Sequence, residues 1–330
     1  MVTAITGAVE SGIIYAIMAL GVYLSFRILD FPDLTVDGSF VTGAAVAATL
    51  IVNGANPFAA TCLALVVGFA AGCMTGLLHT AGKINSLLSG ILMMIALYSI
   101  NLRIMGRSNV PLLNEKTIFT AIQEWAATLG LDAAAAKTWG TILSMTLLAL
   151  LFKWFTDWFL QTEVGLAIRA TGDNPRMIRS LSANTNLLII LGLGLSNAMV
   201  AFSGALVAQY GAFADVGMGI GMIIIGLASV IIGEAVFGTK TIARATLAVI
   251  GGAIIYRIVV SLALRIQFLE TGDVKLITAA IVMLALVVPQ IVRQQKEKKR
   301  KEDSRRKRAH AGMTVANGKG EGDVAVKSDL

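Results

Sequence analysis

Charge is scarce in this chain of 330 residues. Asp, Glu, Lys and Arg make up 14 % of it, against about 25 % in soluble domains. That shortage excludes an ordinary soluble domain. Cysteine is almost missing. Cys62 and Cys73 lie 11 residues apart in one apolar stretch, roughly 16 Å along a helix, whereas a disulfide needs Cα atoms within about 7 Å. Free thiols are expected. Histidine is equally rare, with His79 and His310 far apart. No Cys/His cluster has metal-ligand spacing, so no metal and no cofactor are expected. There is also no GxxxxGK[ST] phosphate loop, which excludes ATP hydrolysis by this chain itself.

What is present is apolar length. Hydrophobic residues make up 56 %, and the mean hydropathy is +0.77. Successive apolar stretches of about 18 residues or more define an all-α, polytopic helical membrane protein. Nine segments are expected, at 5–27, 39–52, 57–79, 84–105, 138–160, 186–209, 222–237, 243–265 and 274–292. The first is not expected to be a cleaved signal, because it has no basic leader and contains Glu10.

Two interruptions stand out. The first, Ile28 to Phe40, holds Asp30, Asp33, Asp37 and Pro32. The segment that follows, read from Ser39 to Val52, is about 21 Å long at 1.5 Å per residue, too short for a bilayer core of about 30 Å. A discontinuous span is expected, and such breaks are tolerated only where protein or a wet cavity satisfies the backbone. Asp33, Thr35, Asp37 and Ser39 are candidate substrate-path residues. The competing reading makes the stretch a surface loop in which Asp37 or Ser39 caps the next helix. The second interruption, Tyr210 to Gly221, repeats the pattern with Asp215 and four glycines ahead of the short segment 222–237. Met94, Tyr98 and Asn101 follow one another at i, i+4 and i+7 and also qualify as path residues. Ordinary interhelix hydrogen bonding accounts equally well for Tyr98 and Asn101. Gly68, Gly72 and Gly76 form a ladder suited to close helix packing. Lys153 and Asp157 have pairing distance at i, i+4. Glu234 and Arg257, deep in the second half, each require a partner or a wet cavity.

The stretch 161–185 contains Asp173-Asn174-Pro175, a strong helix start. Met177, Ile178 and Leu181 then share one face of a short helix. Such a helix suits docking on a partner, and lying on lipid headgroups is the competing reading. Residues 293–330 carry 12 of the 27 Lys and Arg, net +6. Beside a final span, such a basic run points to a cytoplasmic tail near anionic lipid, with no nucleic-acid role, and its polar end is expected to be disordered. The domains are then 1–292, the transmembrane part, and 293–330, the tail. Four segments separate the tail from the 161–185 loop, so both lie on the cytoplasmic side.

The break Asp33-Leu34-Thr35-Val36-Asp37-Gly38-Ser39 resembles the "IDLSVGS" and "NFAHGS" breaks of the ribose and branched-chain amino acid permeases of ABC importers. Gly165 to Ala170, Asp173-Asn174-Pro175 and Ser182-Ala183-Asn184 are similar to their "GRALRA…N…A…GIN" coupling loop. Ser196 to Ala208 resembles their next span. Ala228 to Gly238 resembles "AAVVIGGTSLFG", with Glu234 replacing a glycine. LTVDGSF is closest to the subgroup served by tryptophan/tyrosine-type binding lipoproteins. The resemblance implies the type II-like importer permease fold, acting as a homodimer or heterodimer in the bacterial cytoplasmic (inner) membrane. It implies two ABC ATPase subunits and an extracytoplasmic substrate-binding protein as partners. It places ATPase coupling on Asp173, Asn174, Pro175, Arg176, Met177, Arg179 and Leu181, and the substrate path on the breaks, Asp215 included. Acidic breaks without nearby bases disfavour a polyanion, and an amino acid whose ammonium meets an aspartate is the expected substrate. The alternative is an ion-coupled secondary transporter using Asp33, Asp37, Glu234 and Arg257. A purely structural anchor fits broken helices poorly.

Overall fold

The computed structural model describes residues 2–128, 136–180 and 183–263, with Leu276, Ala279, Ala280, Met283 and Val287. The chain divides into two units, 1–282 and 283–330, and the elements below belong to the first. Helix α1 (Val2–Val22) passes into a π-helical turn, Tyr23–Ile28. Then follow α2 (Thr35–Val52), α3 (Pro57–Thr80), α4 (Ser86–Met105), strand β1 (Asn109–Pro111) and α5 (Ile118–Thr128). A second π turn, Ala136–Gly140, opens α6 (Thr141–Gln161). The remainder is α7 (Glu163–Asp173), α8 (Pro175–Ser180), α9 (Thr185–Gly211), strand β2 (Phe213–Asp215), α10 (Met222–Phe237) and α11 (Ile242–Ala263).

Local chemistry sets the ends. Asn56, Asn85 and Asn184 each turn a side-chain oxygen onto a backbone N–H in the first turn of α3, α4 and α9, at 2.9, 3.0 and 3.1 Å. These are N-caps, which satisfy donors the helix cannot. Gly106 closes α4 in the left-handed conformation at φ 66°. Among the described residues, seven helical stretches are long and apolar enough to cross a membrane, and α10 is shorter.

The 27-residue α9 is the axis of the bundle. It packs against α1, α2 and α3, and its middle is almost wholly buried. The glycine ladder of α3 faces it. A Cβ on Gly68 would stand 2.6 Å from the Asn197 carbonyl oxygen, and one on Gly76 would stand 2.8 Å from the Ile190 Cα. Small residues therefore let the two backbones approach. Ser196 and Ser203 of α9 donate across to the carbonyls of Gly21 and Ile14 on α1, at 2.7 and 2.8 Å. On α6, Leu143, Leu147, Leu151, Trp154 and Trp158 are exposed, as expected of a lipid-facing surface. Lys153 and Asp157 form the expected ion pair, and Asp157 also accepts from Thr246 at 2.6 Å.

Two features depart from the sequence reading. Helix α2 begins at Thr35, not Ser39, because the Asp33 carboxylate accepts the Thr35 N–H at 2.9 Å and starts the helix early. Its 18 residues reach about 27 Å, so it is not a short helix, and the break shrinks to residues 29–34. In addition, β1 and β2 pair antiparallel, with Val110 opposite Ala214. This ribbon ties the connection after α4 to the one after α9. The expected segment 274–292 falls almost wholly outside the described residues.

Candidate substrate path and coupling surface

The first break starts where the π turn ends. The Leu29 N–H donates to the Leu24 carbonyl and the Phe31 N–H to the Ser25 carbonyl, at 3.0 and 2.9 Å. Asp30 takes a left-handed φ of 51°, which reverses the chain. Asp33 is then fully buried. One carboxylate oxygen accepts from the Thr35 N–H, and the other accepts from the Asn197 amide at 2.6 Å. Asn197 is at the middle of α9, so the start of α2 lies at mid-depth in the bundle. Thr35 shares a 2.8 Å hydrogen bond with Thr75 of α3.

Asp37, in the first turn of α2, makes the decisive contact. Its two carboxylate oxygens accept the backbone N–H groups of Gly221 and Ile223, at 2.9 and 2.8 Å. Gly219 presses so close to the Asp37 carbonyl that no Cβ fits there. Asp37 therefore caps α10, not α2, and the two interruptions meet. Neither Asp37 nor Ser39 caps α2, as the competing reading supposed. A carboxylate at a helix N-terminus satisfies free donors and the positive end of the dipole. Asp215 is half-buried and closes its own turn by accepting from Gly217 at 2.7 Å.

A polar seam surrounds the start of α2. Ser39 Oγ, Asn101 Oδ1 and Asn197 Oδ1 are buried without a hydrogen-bond partner among the described residues. Asn101 reaches α2 by donating to the Gly38 carbonyl at 3.3 Å. Its expected companions do not share that face. Tyr98 is 53 % exposed and Asn101 1 %, while Met94 sits at the margin. The buried stripe of α4 runs instead through Ser89, Met93, Leu97, Asn101 and Met105, spaced by four, which keeps one face turned to α2 and α3.

The coupling stretch is a helix pair. Asp173 ends α7 and does not start the next helix. Asn174 does so, its side chain accepting from the Met177 N–H at 3.2 Å, with Pro175 in the first position. Asp173, Asn174, Pro175, Arg176, Met177 and Arg179 are all exposed. Arg179 donates to Thr185 at 2.9 Å and ties α8 to α9. Ile178 does not share the outward face with Met177. It is buried among Leu29, Phe31, Ile168, Leu188 and Leu193, because the residue after Met177 is turned about 100° round the helix. Leu181 lies outside the described residues. Gly172 of α7 packs directly on the Ile28 carbonyl, where a Cβ would collide. One apolar cluster thus joins the exposed helix pair to the first break.

Sequence reasoning required a partner for Glu234, and the structure supplies Arg27, whose Nε lies 2.9 Å from a carboxylate oxygen. Beside the pair is a cavity of about 500 Å³ lined in part by Arg169, Asp173 and Lys240. Asn197, which holds Asp33, was missed. It reads as one amide in an apolar span, and only its position across from the break reveals its role.

A bundle of membrane-length helices, with two interruptions that meet at mid-depth, defines a polytopic membrane transport protein. The family described as "Branched-chain amino acid transport system / permease component" matches residues 4–288, and the chain belongs to that family. It is 42 % identical over 283 residues to the "Tyrosine transport system permease protein" of Clostridioides difficile (strain R20291), covering 84 % of this chain and 89 % of that one. It is 35 % identical over 232 residues to "Uncharacterized protein RP368" of Rickettsia prowazekii (strain Madrid E), covering 70 % and 76 %. A solved inward-facing metal-chelate type ABC transporter aligns with a TM-score of 0.48 and 17 % identity, over 87 % of this chain and 84 % of that one. Membership of the family makes the chain the permease subunit of an ABC importer. ATP hydrolysis belongs to a separate subunit, and ATPase and substrate-binding partners go with the family.

Proposed function

We propose that this permease carries an amino acid, working as one of a pair, homodimer or heterodimer, with two ATPase subunits and an extracytoplasmic binding protein. The observation that carries the reading is the Asp37 cap. It makes the start of α10 depend on the start of α2, so a shift of either break moves both. The tyrosine permease likeness supports the substrate class. The path follows the polar seam at the start of α2: Thr35, Ser39 and Asn101 line it, and Asp33 and Asp37 hold its shape. Tyr98 faces away from α2 and reaches substrate only where a second permease packs on α4, while Met94 stays at the margin of the α2 contact. Asp215 shapes the turn leading to the path from the other side.

Coupling falls to α7 and α8. The exposed Asp173, Asn174, Pro175, Arg176, Met177 and Arg179, with Leu181, meet the ATPase, and Ile178 passes its motion to Leu29 and Phe31. The basic tail 293–330 and the permease domain 1–292 are oriented with the C-terminus in the cytoplasm of a bacterium, by the positive-inside rule.

The test is reconstitution in proteoliposomes with the cognate ATPase and binding protein. ATP-dependent uptake of L-tyrosine or another amino acid is expected. Uptake driven by an ion gradient without the ATPase, or none for any amino acid, would overturn the reading.

A further inference from the structure

A cavity of about 780 Å³ opens where the end of α3 meets the start of α9. That volume is within the range of about 300–1,000 Å³ that small-ligand sites occupy. Its wall carries three basic side chains, His79, Lys83 and Arg179, and no acid. Among the described residues none of the three forms an ion pair. The His79 Nδ1–H donates to the Ile84 carbonyl at 2.8 Å and holds the turn between α3 and α4. The same ring meets Phe31 of the first break edge-on at 5.1 Å. Arg179 spends its Nε on Thr185 at 2.9 Å, so its two terminal nitrogens remain to donate. Lys83 is exposed on the turn, in a left-handed conformation at φ 54°. Like charges gathered on one wall repel, and an anion between them relieves the repulsion.

The neutral part of the wall also offers donors. Asn85 and Asn184 line the cavity, and each has its side-chain oxygen occupied by the first turn of its own helix, at 3.0 and 3.1 Å. Their NH₂ groups are what is left to bind a ligand. Apolar surface begins immediately beyond these caps. Leu87 on α4 and Leu187 on α9 are 47 % and 53 % exposed, as expected of side chains that face acyl chains. A basic, donor-rich cavity thus lies at the level where apolar helix surface starts. Basic pockets between membrane helices at that level suit anionic lipid headgroups.

We propose that this cavity binds the phosphodiester headgroup of an anionic glycerophospholipid. The phosphate accepts from the Arg179 guanidinium, which suits two-pronged binding of phosphate, and from Lys83, with the Asn85 and Asn184 amides beside them. The acyl chains run along Leu87 and Leu187. A zwitterionic headgroup brings its own cation against the basic wall and is disfavoured. The site is independent of which substrate the permease carries.

The test places a bimane fluorophore on Leu187→Cys, in a chain with Cys62 and Cys73 replaced by Ala. Trp158→Cys, which flanks the same loop from α6 and is also exposed, carries the control fluorophore. The complete transporter is reconstituted in vesicles in which phosphatidylglycerol or phosphatidylcholine, nitroxide-labelled on the acyl chain and at equal mole fraction, is the quencher. Phosphatidylglycerol should quench the Leu187→Cys reporter more strongly than phosphatidylcholine, while the two should quench the Trp158→Cys reporter alike. Lys83→Gln should weaken the preference about fivefold, Lys83→Arg should keep it, and Lys83→Gln with Arg179→Gln should remove it. Excess inorganic phosphate should leave it unchanged. Folded variants are identified by unchanged elution and melting temperature. Equal quenching of the Leu187→Cys reporter by the two lipids, an equal preference at the control, or a preference that survives the folded double variant overturns the site. A preference abolished by inorganic phosphate gives the cavity to a free anion and overturns the lipid. A preference seen only after the ATPase subunits are removed gives it to the ATPase and overturns the lipid as well.

Discussion

Asp37 and Ile223 are 186 residues apart in sequence, yet the Asp37 carboxylate accepts the Ile223 N–H at 2.8 Å. The side chain belongs to the first turn of α2 and the N–H to the first turn of α10. One carboxylate thus serves as the cap of a helix that is not its own. Its second oxygen takes the Gly221 N–H, so both oxygens are engaged. The two short connections that interrupt the bundle are joined here through backbone donors.

Asp37→Asn removes the charge and leaves one acceptor oxygen where two were used. A hydrogen bond to a charged group contributes about 1.5–3 kcal/mol, so a loss of that order is expected in the stability of the purified permease. ATP-dependent uptake should fall several-fold at normal expression. Uptake and melting temperature equal to wild type would mean that one oxygen suffices and the junction does not need the charge.

Ser39→Ala removes a buried hydroxyl with no partner among the described residues. Deleting an unsatisfied buried polar group costs little and can stabilise. The melting temperature should hold or rise, while uptake should fall if Ser39 meets substrate as proposed. Unchanged uptake in Ser39→Ala would remove it from the path.

Arg27 and Glu234 link the π turn after α1 to the end of α10. The Arg27 side chain is 59 % exposed, so solvent screens the pair and its net contribution to stability is about 1 kcal/mol or less. Its weight falls on position. Arg27→Glu should lower coupled uptake, and the charge-swapped pair, Arg27→Glu with Glu234→Arg, should recover most of it. Failure of the swap to recover uptake would show that the pair acts through something other than its mutual attraction.

Met177 and Ile178 are neighbours with opposite duties. Met177 is 51 % exposed and Ile178 6 %. Met177→Asp should insert and fold normally but lose co-purification with the ATPase and with it transport. Ile178→Ala should retain the ATPase but lower the melting temperature, since deleting a buried isoleucine typically costs about 2–5 kcal/mol. Wild-type ATPase stoichiometry with Met177→Asp would rule out the exposed face of α8 as the docking surface.

Part of this was legible without coordinates. Apolar length is a local property, so six of the seven membrane-length helices and the short α10 could be read directly, while α2 was read too short. Asp173-Asn174-Pro175 marked a helix start to within one residue, because capping chemistry is also local. The Lys153–Asp157 pair followed from helical periodicity. The acidic breaks were identified as the organising stretches from their charge within apolar flanks.

Other relationships needed the tertiary structure. Asp33, Asp37 and Ser39 all read as equivalent candidates, and only packing distinguishes them. Asp33 is sealed against Asn197 at the middle of α9, Asp37 caps α10, and Ser39 keeps an unpartnered hydroxyl. The start of α2 moved from Ser39 to Thr35 because one side chain, Asp33, accepts a backbone N–H two residues on. Met177 and Ile178 differ in role because α7 and α8 fold back onto Leu29 and Phe31. The sequence by itself determined which stretches are apolar enough to cross a membrane and that two acidic interruptions lie between them, since both follow from local hydrophobicity and local backbone chemistry. Which carboxylate meets which helix start was decided only by the tertiary structure, since a hydrogen bond spanning 186 residues depends on how close-packed helices bring distant backbones together.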